Sequence, residues 1–280
     1  LPQVSIIKQL INSIFPNPEQ RNCYISILRS GMNGINPEKF VMANGDGGNG
    51  KGVINELFAC MLGSDYYYKG NCLTLTEPSK PGANPEMANM HLKRTVLFSE
   101  PRDGSKLQIN VIKDLTGGES VNARQLYKSN TNTEINGTFI LECNQKPLID
   151  GQVGNSAQRR FINILFDQTF AFPNSDGILE EGCQLANPLY KEKSFKNEFK
   201  NALFQCLLDY NYLIPFVSKD IEEDTLKYLF ASDEIVGWLD NVMEPCDGEC
   251  IKMKDLLARF KIDNGAKGVT MVKFLEKLHS

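Results

Sequence analysis

Phe40-Val41-Met42-Ala43-Asn44-Gly45-Asp46-Gly47-Gly48-Asn49-Gly50-Lys51-Gly52-Val53 is the stretch that decides the fold. Phe40 to Ala43 read as a short buried strand that ends in a glycine cluster. Beyond it, Val53, Leu57, Cys60 and Met61 mark the apolar face of a helix. A strand, then Gly-x-x-x-x-Gly-Lys from Gly45 to Lys51, then a helix is the context of a phosphate-binding loop. The glycines let successive backbone N–H groups converge on phosphate oxygens, and the helix N-terminus adds positive potential. Lys51 would reach the β- and γ-phosphates. The nucleotide-binding set expected from this spacing is Gly45, Asp46, Gly47, Gly48, Asn49, Gly50, Lys51, Gly52 and Val53. The position after Lys51, which ordinarily offers a Ser or Thr hydroxyl to Mg²⁺, is Gly52. A water, Asn49 or a downstream residue has to fill that place.

Working outward, Thr95 to Ser99, Thr138 to Cys143 and Phe161 to Phe166 are further strand candidates, separated by segments long enough to hold helices. Strands alternating with helices predict an α/β core with a largely parallel sheet. Upstream lie two helical patterns, Ile6/Leu10/Ile14 and Tyr24/Ile27/Leu28, broken at Phe15-Pro16-Asn17-Pro18. Downstream, residues 173–190 are rich in Pro, Asn, Asp and Gly and read as a surface connection. An amphipathic helix follows, with Phe195, Phe199, Leu203, Leu207 and Tyr210 on one face. Beyond Pro215 come shorter helical patterns around Ile235/Leu239/Met243, Met253/Leu256/Leu257/Phe260 and Val272 to Leu278. The expected division is an N-terminal helical segment over 1–37, an ATPase core over 38–215 and a small helical module over 216–280.

Polar residues at the ends of these strands carry the candidate chemistry. Glu100 ends the Thr95–Ser99 strand, where a carboxylate would hold magnesium and polarise water, and Pro101 stops further ladder pairing. The usual Asp-Glu pair is here Ser99-Glu100, which leaves one carboxylate. Asn144 follows the Thr138–Cys143 strand, at the sheet edge where open α/β folds bind ligands. It would bond the γ-phosphate or orient the attacking water. Arg159 and Arg160 precede the last strand, and either is a candidate arginine finger supplied to a neighbouring subunit. Alone, Glu100 reads as a solvated strand end and Asn144 as a loop cap; the upstream loop reverses those readings.

The chain's 280 residues, 41% hydrophobic and 23% charged, exclude disordered and fibrous classes. A net charge of −4 does not advertise a chain that coats nucleic acid or an anionic membrane. No apolar run approaches the ~20 residues needed to span a bilayer, and Leu1-Pro2-Gln3 opens no signal peptide, so a soluble, non-secreted protein is expected. The missing initiator Met predicts a piece of a larger polypeptide. The eight cysteines are scattered, several in apolar runs, and read as reduced. Cys246 and Cys250 lack the further ligands a zinc site needs. Charge is unevenly spread: residues 220–250 hold ten acids and one base, a balance of −9, so the rest sums to +5. From His91 to Lys128 seven Lys/Arg oppose four acids.

Taken in order, these motifs resemble the superfamily 3 helicases, in particular the poxvirus-type primase-helicases of large DNA viruses and some phages. Gly45 to Gly52 stands as Walker A, Thr95 to Pro101 as a trimmed Walker B, and Lys113-Asp-Leu-Thr-Gly-Gly-Glu-Ser-Val-Asn-Ala-Arg124 as the B′ element. Asn144 matches the sensor asparagine, and Gln158-Arg159-Arg160-Phe161 the arginine-finger segment. The resemblance is close over roughly residues 15–170 and looser over the helical tail, which looks like a winged-helix-type module. It implies an AAA+-type core, ATP and Mg²⁺ as cofactors with Glu100 at the metal, and a homo-oligomeric ring, usually a hexamer. It also implies translocation on single-stranded or fork DNA, a primase domain upstream in the full-length chain, and residence at a viral replication site. Gly117-Gly118 is a turn signal whose flanks can form a hairpin carrying Arg124 and Lys128 towards a polyanion. Lys106, Lys113, Arg124 and Lys128 are the DNA-contact candidates, with Tyr127 free to stack on a base. Two other readings stay open: a ring-forming DNA-binding or scaffold module with weak ATPase, motivated by Gly52 and Ser99, and a P-loop kinase of a small molecule.

Overall fold

The computed structural model describes residues 2–78, 85–118, 121–123, 131–151, 153–210, 214–232, 234–244, 246, 248, 250–265 and 269–278. Two helices, α1 (Pro2–Ile14) and α2 (Pro18–Asn33), precede the first strand β1 (Phe40–Asn44) and the loop-following helix α3 (Lys51–Tyr66). The chain continues through β2 (Tyr67–Gly70), α4 (Leu73–Thr76), α5 (Pro85–Asn89), β3 (Thr95–Ser99), β4 (Lys106–Gln108) and α6 (Ile109–Thr116). Then come β5 (Val121–Ala123), β6 (Thr131–Thr133), β7 (Thr138–Cys143), β8 (Leu148–Asp150), α7 (Asn155–Gln158) and β9 (Phe161–Leu165). The last part holds β10 (Thr169–Ala171), β11 (Cys183–Leu185), a 3₁₀ turn at Pro188–Lys191, α8 (Lys193–Leu208), α9 (Lys219–Ala231), α10 (Glu234–Val242), α11 (Met253–Asn264) and α12 (Met271–Leu278).

Five strands form one parallel sheet in the order β2-β3-β7-β1-β9. Its central strands are mostly apolar and almost wholly buried because both faces are covered, with polar residues confined to Asn44, Thr95, Ser99, Thr138 and Glu142 near their ends. Strand alternation assigns the faces. Val41, Ala43, Ile140, Ile162 and Ile164 share one core with α1, α2, α3 and α8. Phe40, Met42, Val96, Phe98, Phe139 and Leu141 share the other with α6 and α9. The result is a three-layer α/β/α core, as the strand pattern predicts. Parallel strands place all their carboxyl ends on one edge of the sheet, so the loops after β1, β3 and β7 lie together.

Several details differ from the sequence expectation. The inward face of α3 is Ile54, Leu57 and Phe58, with Val53 and Met61 half-buried, because the helix also turns Lys51 and Asn55 towards the strand ends. Gly117 and Gly118 terminate α6 and do not turn the hairpin; the hairpin pairs β5 with β6, Val121 opposite Thr133. Its tip, with Arg124, Tyr127 and Lys128, lies outside the described residues. Helix α9 rests on the sheet: Thr225 Oγ1 accepts from the Asn163 N–H at 2.9 Å, and the Tyr228 hydroxyl donates to the Pro147 carbonyl at 2.6 Å. A separate small core of Ile235, Trp238, Leu256, Leu257, Phe260 and Phe274 joins α10, α11 and α12. Among the described residues no helix is long and apolar enough to cross a membrane. All eight cysteines are free, with Cys23, Cys143 and Cys206 buried and Cys246 and Cys250 exposed.

Candidate functional site

The loop after β1 folds as its glycines require. Gly45 has φ 146, and a Cβ there would come within 2.4 Å of the Phe166 carbonyl oxygen. Gly50 has φ 87 and caps α3; a Cβ there would meet Ile14 Cγ1 at 2.7 Å. Only glycine allows the chain to run between α1 and the β9 end in this way. Asn49, almost fully buried, braces the loop: its Nδ2 donates to the Asp46 carbonyl at 2.5 Å, and its Oδ1 accepts from the Lys51 N–H at 3.3 Å. Both ends of that amide are engaged within the loop, which fixes its orientation, while Oδ1 keeps a second lone pair. Gly47 and Gly52 face open space, and a Cβ at either would have nothing within 4 Å.

Lys51 is 6% exposed and starts α3. Its Nζ donates to the Gly45 carbonyl, and to Asn144 Oδ1 at 3.2 Å. Burial holds the Lys51 ammonium below the usual lysine range, opposed by the charges of Glu100, Glu142 and Asp46 nearby. A polyanion in the cleft would oppose the same burial cost.

Glu100 follows β3 with φ 46, a left-handed conformation that costs a non-glycine residue about 1–2 kcal/mol. Its N–H donates to the Glu142 carbonyl at 2.8 Å, which fixes the bend at the sheet edge. Such an outlier at a strand end fits a residue held for its side chain. Glu142, the fifth residue of β7, is a site residue that the motif reading missed. Asn55 Nδ2 donates to its Oε1 at 2.6 Å, and Asn55 Oδ1 in turn accepts from the buried Tyr24 hydroxyl at 2.6 Å. Burial raises the Glu142 carboxyl above the usual glutamate range, partly offset by the Asn55 hydrogen bond. The signal that marks it in the sequence is one acid inside an otherwise apolar strand.

These groups share one cleft of about 1160 Å³. The loop residues Gly47 to Val53, Glu100, Glu142 and Asn144 line it together with Gln9, Ser13, Phe172, Leu185 and Tyr190. The segment expected to be a mere surface connection thus supplies a wall, because β11 pairs with β10 and carries Leu185 to the cleft. Among the described residues no group of three or more His, Cys, Asp or Glu is placed to hold a metal by itself. Mg²⁺ needs only one or two carboxylates beside phosphate oxygens and waters, and the Glu100 and Glu142 pair fits that requirement.

The remaining candidates lie elsewhere. Arg159 pairs with Glu38 at 2.6 Å, and Arg160 donates to the Ser156 carbonyl at 2.7 Å. The Arg160 carbonyl accepts from the Phe40 N–H, so both arginines sit at the opposite end of β1 from the loop. They do not enter their own chain's cleft. Lys106 is exposed on β4 and Lys113 half-buried on α6, both outside the cleft.

No family model matches the chain. It is 31% identical over 293 aligned positions to primase D5 of Fowlpox virus (strain NVSL), covering 98% of this chain and 35% of that protein. It is 34% identical over 170 positions to the candidate helicase 022R of Frog virus 3 (isolate Goorha), covering 58% of this chain and 17% of that one. The chain therefore spans about a third or less of the relatives' lengths. Among solved structures, the apo C-terminal region of NrS-1 superposes with a TM-score of 0.55 at 16% identity, over 96% of this chain and 60% of that one, and so shares the fold. The chain is a homologue of the D5-type primases and helicases of large DNA viruses, built on the P-loop NTPase fold.

Proposed function

We propose that the chain is the ATP-driven motor of a viral replicative DNA helicase. The observation that carries the reading is the convergence of Lys51, Glu100 and Asn144 on one cleft at the carboxyl edge of the parallel sheet. In this reading, Gly45 to Val53 cradle the phosphates of ATP, and Mg²⁺, when bound, neutralises phosphate charge beside Glu100. Asn144 exchanges its bond to Lys51 for the γ-phosphate or the attacking water. Phe172 and Leu185, both exposed in the cleft, receive the base. Arg159 or Arg160, too far round the sheet to serve its own cleft, serves that of a neighbouring subunit in a ring, proposed as a hexamer. Lys106, Lys113, Arg124 and Lys128 would track single-stranded or fork DNA, and a primase domain would lie upstream in the whole protein. The proposed division remains 1–37, 38–215 and 216–280, with work at the viral replication site.

A second reading, a nucleotide-holding ring with weak ATPase, draws on Gly52, which offers no hydroxyl. Forked-duplex unwinding separates the two. The motor reading expects ATP-dependent strand displacement that Arg160→Ala or Glu100→Gln abolishes in uniform preparations and that mixing the two variants partly restores. ATP-independent or absent displacement by the wild-type protein overturns it.

A further inference from the structure

The Walker B strand lacks its usual first carboxylate because position 99 is serine. We propose that the missing carboxylate is supplied from the adjacent strand, by Glu142, as a magnesium-holding group; this rests on the nucleotide-binding reading above.

Three observations carry it. Ser99 and Glu142 are direct partners in the parallel β3–β7 register, so their side chains leave the same face of the sheet. Neighbouring strands are only about 4.8 Å apart, within the reach of a glutamate side chain. The Ser99 hydroxyl donates to Glu142 Oε2 at 3.4 Å, which puts the Glu142 carboxylate beside the place an aspartate at 99 would occupy.

The carboxylate is also aimed in advance. Tyr24 holds Asn55, and Asn55 holds Glu142 Oε1, so the carboxylate has few ways to turn. Two of its roughly four acceptor sites are used by Asn55 and Ser99, and the rest remain for a cation or its water shell. Among the described residues no ion pair forms to Glu142. Lys51 and Lys69 act on it only through space, without an ion pair, so a bound cation would complete this half-buried carboxylate.

Neither Gly52 nor Asn49 carries a charge to offer a cation. Gly52 has no side-chain oxygen, and the Asn49 amide braces the loop. Glu142 and Glu100, together in the cleft with Lys51, leave Glu142 to hold the metal's water shell and Glu100 to polarise the attacking water.

The test is a magnesium titration of the affinity for a fluorescent, non-hydrolysable ATP analogue. It uses the wild-type chain, Glu142→Gln, Ser99→Asp and the double variant Ser99→Asp/Glu142→Gln. Glutamine keeps the oxygen that accepts from Asn55, so the polar chain persists. Glu142→Gln is expected to raise the magnesium midpoint about 10-fold or more while leaving the magnesium-free affinity near wild type. Returning a carboxylate to position 99 in the double variant is expected to recover most of the shift, and Ser99→Asp alone to lower the midpoint. Mn²⁺ bound with the analogue, counted by electron paramagnetic resonance, should follow the same order. An unchanged midpoint in Glu142→Gln, or an equal loss of affinity with and without magnesium, overturns the assignment while the phosphate-loop reading stands. Wild-type protein that binds no analogue overturns both.

Discussion

Lys51 Nζ donates to Asn144 Oδ1 at 3.2 Å, so the first residue of α3 is tied to the loop that follows β7. The bond joins two segments 93 residues apart; in the proposed reading it holds the asparagine beside the γ-phosphate that Lys51 would bind. Asn144→Ala is expected to lower ATP turnover by about 10²–10³-fold, the usual cost of losing one polarising contact, with nucleotide affinity changed only a few-fold. Steady-state hydrolysis beside analogue binding checks the split. Equal losses in both would make Asn144 a binding residue only.

Gly50 and Gly52, two residues apart, predict opposite outcomes. Gly50→Ala meets Ile14 at 2.7 Å in a left-handed conformation, so the loop must shift. The expected cost is about 1–2 kcal/mol of stability, together with a loss of nucleotide affinity. Gly52→Ser meets nothing within 4 Å, restores the hydroxyl that magnesium ordinarily meets, and replaces a helical glycine. It is expected to be at least as stable as wild type and to reach half-maximal analogue binding at lower magnesium. Melting curves and magnesium titrations of both variants check this pair.

Tyr24, fully buried, gives its hydroxyl to Asn55. Tyr24→Phe keeps the ring in its cluster with Phe15 and Phe166 but leaves the Asn55 oxygen without a donor. An unmet buried acceptor costs about 1–3 kcal/mol, and denaturant unfolding should show a loss of that size. A loss below about 0.5 kcal/mol would mean that Asn55 finds another donor.

Burial pushes the Cys23 thiol from 9.0 up to about 12, so at pH 8 its thiolate is scarcer than that of an ordinary cysteine by about three orders of magnitude. Cys246 and Cys250 are exposed. A thiol reagent at pH 8 should therefore label those two quickly and leave Cys23 protected until the protein unfolds. The sign follows from the raised value: the folded state keeps the Cys23 proton through the range in which an unfolded cysteine loses it, so this contribution to stability fades above pH 9. Mass spectrometry of the labelled peptides reads the order directly.

The strand, glycine loop and helix from Phe40 onward were legible because their signals are local: a buried strand, glycines that only a tight approach demands, and a lysine at fixed spacing. The parallel sheet followed from strands and helices in alternation. Glu142 escaped because its place beside Ser99 depends on register, and that register is set by sheet pairing across 43 residues. Strand β2 was hidden because Tyr67-Tyr68-Lys69-Gly70 follows α3 directly, without turn residues to announce it. Helix α9 was obscured by its acidic first turn, although Ile221, Tyr228 and Leu229 bury its inner face. The arginines were legible as a pair but not as belonging to the far end of β1, since only the fold separates Arg160 from the cleft.

The motor reading is most directly tested by ATP hydrolysis with and without single-stranded DNA, compared among the wild-type chain, Lys51→Ala and Glu100→Gln. The account predicts wild-type turnover that rises severalfold on adding DNA, and both variants at background with or without it. Wild-type turnover no faster than that of the variants would contradict it.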